Sequence, residues 1–355
     1  MTGCEPDAFA EYLEWFAAGC DHMGSPFYGE LIRRMSSDAR SRGPVWQVLE
    51  PDASAEFNDA FALRVLGGVH RMVLAGNAPG LAAHYPSVGG DGDVDAVWPA
   101  FAELVEAMPA PVSDALTRPP QTNEVGRSGA LAGGVAVVAQ RFGLPIRLLE
   151  IGASAGLNLR MDRFWYQQGG RSWGDPQSAV RLIDLWAPRC PPWEAGPVVS
   201  ERRGCDHDPI DATDPEAALT LLSYVWPGQN ERFAMLRAAL DIASTMPVDI
   251  DRADAPGWLE EQLREPTGGR ATVVYHSVVW QYLSEETRAH LRAALAAAGG
   301  RATRVAPLAY LRLEPTPDTY FPACLTVTTW PGGDEQQLAT SGFHGGPVTW
   351  PDGTD

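Results

Sequence analysis

The stretch Leu148-Leu149-Glu150-Ile151-Gly152-Ala153-Ser154-Ala155-Gly156-Leu157-Asn158-Leu159 decides how the rest of the chain is read. An apolar run carrying one acid leads into alternating small residues and then into apolar residues at helical spacing. That is the pattern of a buried parallel strand entering a tight loop and a helix. Gly152, Ser154 and Gly156 let the loop backbone approach a ligand closely, and amides at a helix start point outward toward it. Glu150 sits where the strand emerges. It repels a dinucleotide phosphate there and suits a ligand with hydroxyls or a positive group.

Upstream, residues from Asp7 to about Met108 read as helices, with Phe9, Leu13 and Phe16 on one face and Phe57–Ala75 apolar nearly all round. Pro109–Pro120 carries four prolines and reads as a linker. A helix capped by Thr122 or Asn123 then runs to about Phe142, ended by Gly143 and Pro145. Strand Ile146–Ile151 follows, and then a helix with Leu157, Met161 and Phe164 on one face.

Downstream, the glycine turns of Trp165–Ala187 and the prolines of Pro188–Pro197 mark an inserted hairpin at about 165–197. Strands are expected at Val198–Cys205, Pro247–Ala253, Ala271–Val279 and Thr303–Leu313. Helices starting at Asp214-Pro215-Glu216 and Ser284, and helices at Phe233–Ala243 and Trp258–Leu263, alternate with them. Phe321–Trp330 and Pro347–Trp350 are strand-like with no helix between, which predicts an antiparallel hairpin at the end. The alternation implies an α/β fold with a mostly parallel sheet covered on both faces. Residues 1–120 form a helical N-terminal cap domain and 121–355 the sheet domain.

The chain has 355 residues, 45% of them hydrophobic, so it can bury a substantial core. A net charge of -18 gives no electrostatic help toward nucleic acid or an anionic membrane, so neither is expected as a partner. No apolar run is long enough to cross a bilayer, and the acidic start does not read as a signal peptide. Every basic residue is Arg, which excludes a lysine Schiff base and a P-loop lysine. Cys4, Cys20, Cys190, Cys205 and Cys324 are odd in number and scattered, which fits a reducing cytoplasmic location. No His or Cys pair has metal-ligand spacing, and no metal is expected.

The pattern Glu150-x-Gly152-x-Ser154-x-Gly156 resembles motif I of class I S-adenosylmethionine-dependent methyltransferases, with Ser154 in place of the middle glycine. The resemblance implies that this loop holds the methionine part and ribose of the cofactor. It implies that Asp206, in Gly204-Cys205-Asp206-x-x-Pro209, takes the ribose hydroxyls, for which Asp175 and Asp184 compete. It implies that Asp254 accepts from the adenine amino group, with Ala255 beside the ring. Asp206 with Asp208 and Asp211 equally reads as a solvated acidic turn, and Asp254 as a helix cap. Asn123 and Arg127 border the same pocket. The implied architecture is a Rossmann-like methyltransferase sheet in the order 3-2-1-4-5-7-6.

Ligands of open α/β sheets sit at the carboxyl ends of strands near the switch point. His276 is therefore placed as the base for a methyl acceptor, beside Ser277 and Tyr282, though it also reads as a satisfied core histidine. His70 lies in an otherwise apolar helix and needs a partner; it is the second candidate base, with Arg71 and Tyr85 as substrate contacts. Together these predict methyl transfer from S-adenosylmethionine to an oxygen nucleophile of a small molecule. The alternatives are a non-catalytic module binding S-adenosylmethionine or a nucleoside, and a nicotinamide-dependent oxidoreductase. Glu150 and the missing Gly-x-Gly-x-x-Gly loop disfavour the latter.

Several segments together resemble an actinobacterial family known as domain of unknown function 2332. They are Gly24-Ser25-Pro26-x-Tyr28, Thr122-Asn123-Glu124-Val125-Gly126-Arg127, Glu150 through Asn158, Trp226-Pro227 and His276-Ser277-Val278-Val279-Trp280.

Overall fold

Strand β1 spans Ile146–Ile151 and every one of its residues is buried. A strand with no solvent face must be paired on both edges and covered on both faces. A computed structural model shows both conditions met; it describes residues 4–55, 60–117, 120, 122–316 and 319–351. By its contacts the chain divides into two compact units. One comprises residues up to Thr122 together with Asp214–Ala234, and the other comprises Asn123–Thr213 together with residues from Met235 onward.

The first unit is helical: α1 (Pro6–His22), α2 (Pro26–Arg40), α3 (Pro44–Leu49), α4 (Phe61–Leu74), α5 (Pro79–Ala82), α6 (Val94–Ala107) and α7 (Pro109–Leu116). Five of these seven start with proline at the first helical position, where the missing amide costs nothing. One of them, α7, occupies the stretch read as a linker, because Pro109 and Pro111 fall within its first turn. Residues 57–59 of the expected long helix lie outside the described residues. Phe9, Trp46 and Phe61 pack at its centre with ring centroids 5.2 Å from Phe9.

The second unit opens with α8 (Ser128–Phe142), then β1, β2 (Trp165–Gln168), β3 (Arg171–Gly174), β4 (Arg181–Ile183), β5 (Trp186–Pro188) and β6 (Val199–Asp206). The insertion holds the expected hairpin, β2 with β3, to which β4 adds a parallel third strand. Helix α9 (Pro215–Ser223) belongs to the first unit. Its Ser223 carbonyl accepts from His70 Nδ1 at 2.9 Å, and Arg71 of the same helix α4 bonds Thr220 and Glu216. The chain continues through α10 (Asn230–Thr245), β7 (Ile250–Arg252), α11 (Ala255–Gln262), β8 (Ala271–Ser277), α12 (Glu285–Gly299), β9 (Leu308–Thr316), β10 (Thr319–Trp330), β11 (Glu335–Ser341) and β12 (Val348–Trp350). Asp214 and Ser284 cap α9 and α12 with their side chains, as expected.

The large sheet has the order β5-β12-β11-β10-β9-β8-β1-β6-β7, and the run β9-β8-β1-β6-β7 is parallel throughout. In chain order this run reads 3-2-1-4-5, with the switch point between β1 and β8. The remaining order departs from expectation. Strand β10 lies directly beside β9 and β11 beside β10, so the end is a meander and not the 7-6 exchange. Only two residues join β9 to β10, and so short a link can only return the chain beside the strand it left. Strand β11, Glu-Gln-Gln-Leu-Ala-Thr-Ser, escaped the sequence reading because its first three residues are polar and exposed.

Helix α8 covers one face, where Gly134 lies against Leu311 of β9. On the other, Trp258 and Leu259 of α11 and Leu291 and Leu295 of α12 pack on Leu149, Val274 and Tyr310. No helix among the described residues is long and apolar enough to cross a membrane. Replacing Leu149 by Ala removes a fully buried side chain from this second core. The expected loss is ~2–5 kcal/mol, read as a lowered midpoint in chemical denaturation.

Candidate functional site

Side chains alternate across a strand, so Glu150 points to the face opposite Leu149, and Tyr275 to the face opposite Val274. Glu150 and Tyr275 are register partners across β1 and β8, and both side chains are buried. Burial pushes the Glu150 carboxyl up to about 8, with the Asp206 charge adding to the effect; Tyr275, Arg160 and Arg127 pull the other way. The Tyr275 hydroxyl is near enough to influence the acid, but the two are not in hydrogen-bonding geometry. Glu150 Oε2 and the Tyr275 hydroxyl each lack a partner, and so does Asn158 Oδ1. Each such atom costs roughly 1–3 kcal/mol unless it finds a partner.

The loop after β1 is held by the protein itself. The Gly152 and Ala153 amides donate to Cys205 O at 2.9 and 3.0 Å. The Ser154 amide donates to Asp206 Oδ2 at 2.8 Å, and Leu157 N donates to Asn123 Oδ1 at 2.8 Å. Gly152 has φ +69°, and a Cβ there would lie 2.6 Å from Val279 Cγ2; Gly156 has φ +64° and would meet Ile250 Cδ1 at 2.6 Å. Both glycines therefore make room for the chain's own side chains. The expected helix does not form after the loop. Asn158–Arg163 is a 3-10 segment broken at Arg160, so no α-helix N-terminus follows the loop. Asn123 likewise is not a helix cap, because its side chain is spent on Leu157. Arg127 donates to Phe343 O at 2.9 Å and to Ser277 O at 3.1 Å, which ties the start of α8 to the end of β8.

His276 faces the opposite side of the sheet from Glu150. Its Nδ1 donates to Glu314 Oε1 at 2.5 Å, its Nε2 meets the Tyr310 hydroxyl at 2.7 Å, and its ring stacks on Trp280 with centroids 5.2 Å apart. Glu314 also accepts from the amides of Val279 at 2.9 Å and Trp280 at 3.3 Å. Val278, between His276 and Val279, has φ +54°, a strained conformation for a β-branched residue. With both ring nitrogens engaged and its face reversed, His276 does not present a base to the loop side, contrary to the sequence expectation. Ser277 is buried at the strand end, and Tyr282, 64% exposed, lies on a surface turn.

Asp206 stands at the end of β6, its Oδ1 accepting from Asp208 N at 2.9 Å. Asp254 precedes α11 at the cap position without a side-chain cap bond, and Ala255 beside it is buried. Asp175 and Asp184, the competing acids, sit instead in turns of the insertion, where Asp175 Oδ1 accepts from Gln177 N.

His70, Arg71 and Tyr85 belong to the first unit. His70 is fully buried with Nδ1 on Ser223 O and Nε2 on Ser87 Oγ at 2.7 Å, and burial lowers its pKa to about 4. Arg71 pairs with Glu216 at the surface. Tyr85 is buried against Phe27 and His70. None of the three is arranged as a substrate contact: His70 and Arg71 fasten α4 to α9.

Tyr275, Arg160 and Glu314 went unread in the sequence. Glu314 carried the same signal as Glu150, an acid within an apolar strand. Arg160 was masked by the helical spacing of Leu157, Met161 and Phe164.

The bacterial family described as "Uncharacterized protein conserved in bacteria (DUF2332)" matches residues 10–350. No curated protein and no solved structure matches the chain.

A carboxyl whose folded pKa is raised binds its proton more tightly when folded than when unfolded. Its stabilising effect is full below the ordinary carboxylate value of 4.5 and is lost as pH rises toward about 8. Stability should therefore fall over that window, and Glu150→Gln should flatten the fall. Denaturation midpoints at pH 5, 6.5 and 8 for both proteins decide it; parallel profiles would refute a buried neutral acid.

Proposed function

This chain belongs to the bacterial family DUF2332, whose description assigns no activity, and we propose that it is an S-adenosylmethionine-dependent methyltransferase acting on a small molecule at oxygen. The bond from Ser154 N to Asp206 Oδ2 at 2.8 Å carries the reading. It brings the loop after β1 together with the acid ending the neighbouring strand, the pair that a ribose needs. The order β1-β6-β7 then sets Glu150, Asp206 and Asp254 at the ends of three adjacent strands. Each Asp206 carboxylate oxygen accepts one bond from a backbone amide, and a carboxylate has about four acceptor sites, so two hydroxyls still fit.

The residues fit the nucleoside from its acidic side. Asp206 would hold the ribose, and Asp254 with Ala255 the adenine. Glu150, its carboxyl raised to about 8 by burial, in its protonated form offers a hydroxyl donor as well as an acceptor beneath the loop. The room at Gly152 and Gly156 is filled by Val279 and Ile250, so the loop glycines contribute shape and not contact with the ligand. The cofactor supplies an electrophilic sulfonium methyl; the protein's part is to bind it and align the acceptor.

His276 and His70 both have their ring nitrogens engaged within the protein. That observation favours a second reading, a module that binds the nucleoside without turning it over.

S-adenosylhomocysteine should raise the melting temperature while NAD does not, and Asp254→Ala should weaken the rise by tenfold or more in ligand concentration. A flat response to S-adenosylhomocysteine up to millimolar levels would end both readings. Binding without methyl transfer to any hydroxyl or carboxyl acceptor in a panel would leave the second.

A further inference from the structure

Arg160 lies on the 3-10 segment after the β1 loop and is only 3% exposed. Its Nε donates to Met246 O at 2.8 Å, and its Nη1 to Gly156 O at 2.8 Å and Ala155 O at 3.3 Å. All these acceptors are neutral carbonyls. Among the described residues Nη2 meets no acceptor and the guanidinium forms no ion pair. The other arginine near it, Arg202, is paired with Asp162 at 2.6 Å. Glu150 acts on Arg160 without an ion pair between them, and burial raises its own carboxyl to about 8. A buried cation without a counter-charge is costly, and such a site is relieved by an anion.

Arg160 lines a cleft of about 260 Å³. The other walls are mostly aliphatic: Ala155, Ala243, Pro247, Val248 and Ile250. The segment Pro209–Thr213 closes it from the β6 side and is tied to the loop by Ile210 N donating to Ser154 O at 3.1 Å. Asp211 on that segment accepts two bonds from Thr213, which hold it below the usual carboxylate range and so charged. A charged carboxylate on the wall repels a dianion such as hydrogen phosphate about twice as strongly as a single negative charge.

We propose that this cleft is a binding site for a small organic monocarboxylate with an aliphatic body, its carboxylate on the Arg160 guanidinium and its body against Ala243, Val248 and Ile250. The volume suits a ligand of modest size, and a bidentate guanidinium–carboxylate contact gives it direction. The cleft adjoins the loop of the nucleoside reading through Ala155, but Glu150, Asp206 and Asp254 are not among its walls, so the two sites can be tested apart.

The test is a thermal-shift titration of the full-length protein with 4-methylpentanoate, its neutral amide and inorganic phosphate. The carboxylate should give a saturable rise of about 2 °C near tenfold its Kd, and the amide none. Ala212→Trp, on the partly exposed closing segment, adds bulk to the cleft wall while leaving the Arg160 side chain in place; it should fold normally and lose the response. Arg160→Gln should lose it too, but Arg160 also holds backbone carbonyls, so Ala212→Trp decides if that variant does not fold. An equal response to the amide, a stronger one to phosphate, no response to the carboxylate, or an unchanged response in Ala212→Trp would each overturn the assignment. The S-adenosylhomocysteine response of Ala212→Trp, measured separately, keeps the two sites apart.

Discussion

The Glu314 carboxylate is the constraint on which the centre of the sheet unit rests. It gathers the His276 ring and two consecutive amides, Val279 and Trp280. Those bonds hold the reversed backbone at Val278, whose conformation costs of order 1–3 kcal/mol when unsupported. Once the chain turns there, Val279 drops onto Gly152. The loop after β1 and the loop after β8 thus lock each other at the switch point, with a buried acid on one face of the sheet as the anchor and another, Glu150, on the opposite face.

The two acids behave differently because their surroundings differ. Glu314 is met by three donors. Glu150 has lost its water and gained too little in return, so it keeps its proton near neutrality. Ten residues along, Arg160 keeps its charge among carbonyls with no acid to answer it. A unit that raises one buried carboxyl to about 8 and leaves one buried guanidinium without an ion pair forgoes some of the stability it could have had.

Much of this was legible in the sequence where a local rule governs. Buried strands announced themselves as apolar runs, so β1 was placed to the residue and β8 nearly so. The capping residues Asp214 and Ser284 fixed the starts of two helices, since a cap is set by its immediate neighbours. The parallel core followed from strand and helix alternation. What escaped depends on partners far away in the chain. The meander order of β9, β10 and β11 follows from a two-residue link that no periodicity displays. The helix expected at Leu157 gave way because Arg160 turns back onto the carbonyls of residues 155 and 156. His276 was read correctly as lying at a strand end, but which face it takes is a matter of register, and one residue reverses it.

The helical unit is assembled from two pieces of chain some ninety residues apart, with most of the sheet unit's first half threaded between them. Trp226 completes its core, Tyr224 lies over Gly67, and the Ser223 carbonyl satisfies His70. During synthesis the first seven helices emerge long before these partners exist. The buried His70 and the groove over Gly67 then stay open until the chain has passed residue 226, by which time β1 to β6 have also been made. Folding of the two units is thereby interleaved in time, and no single cut in the chain yields either one whole.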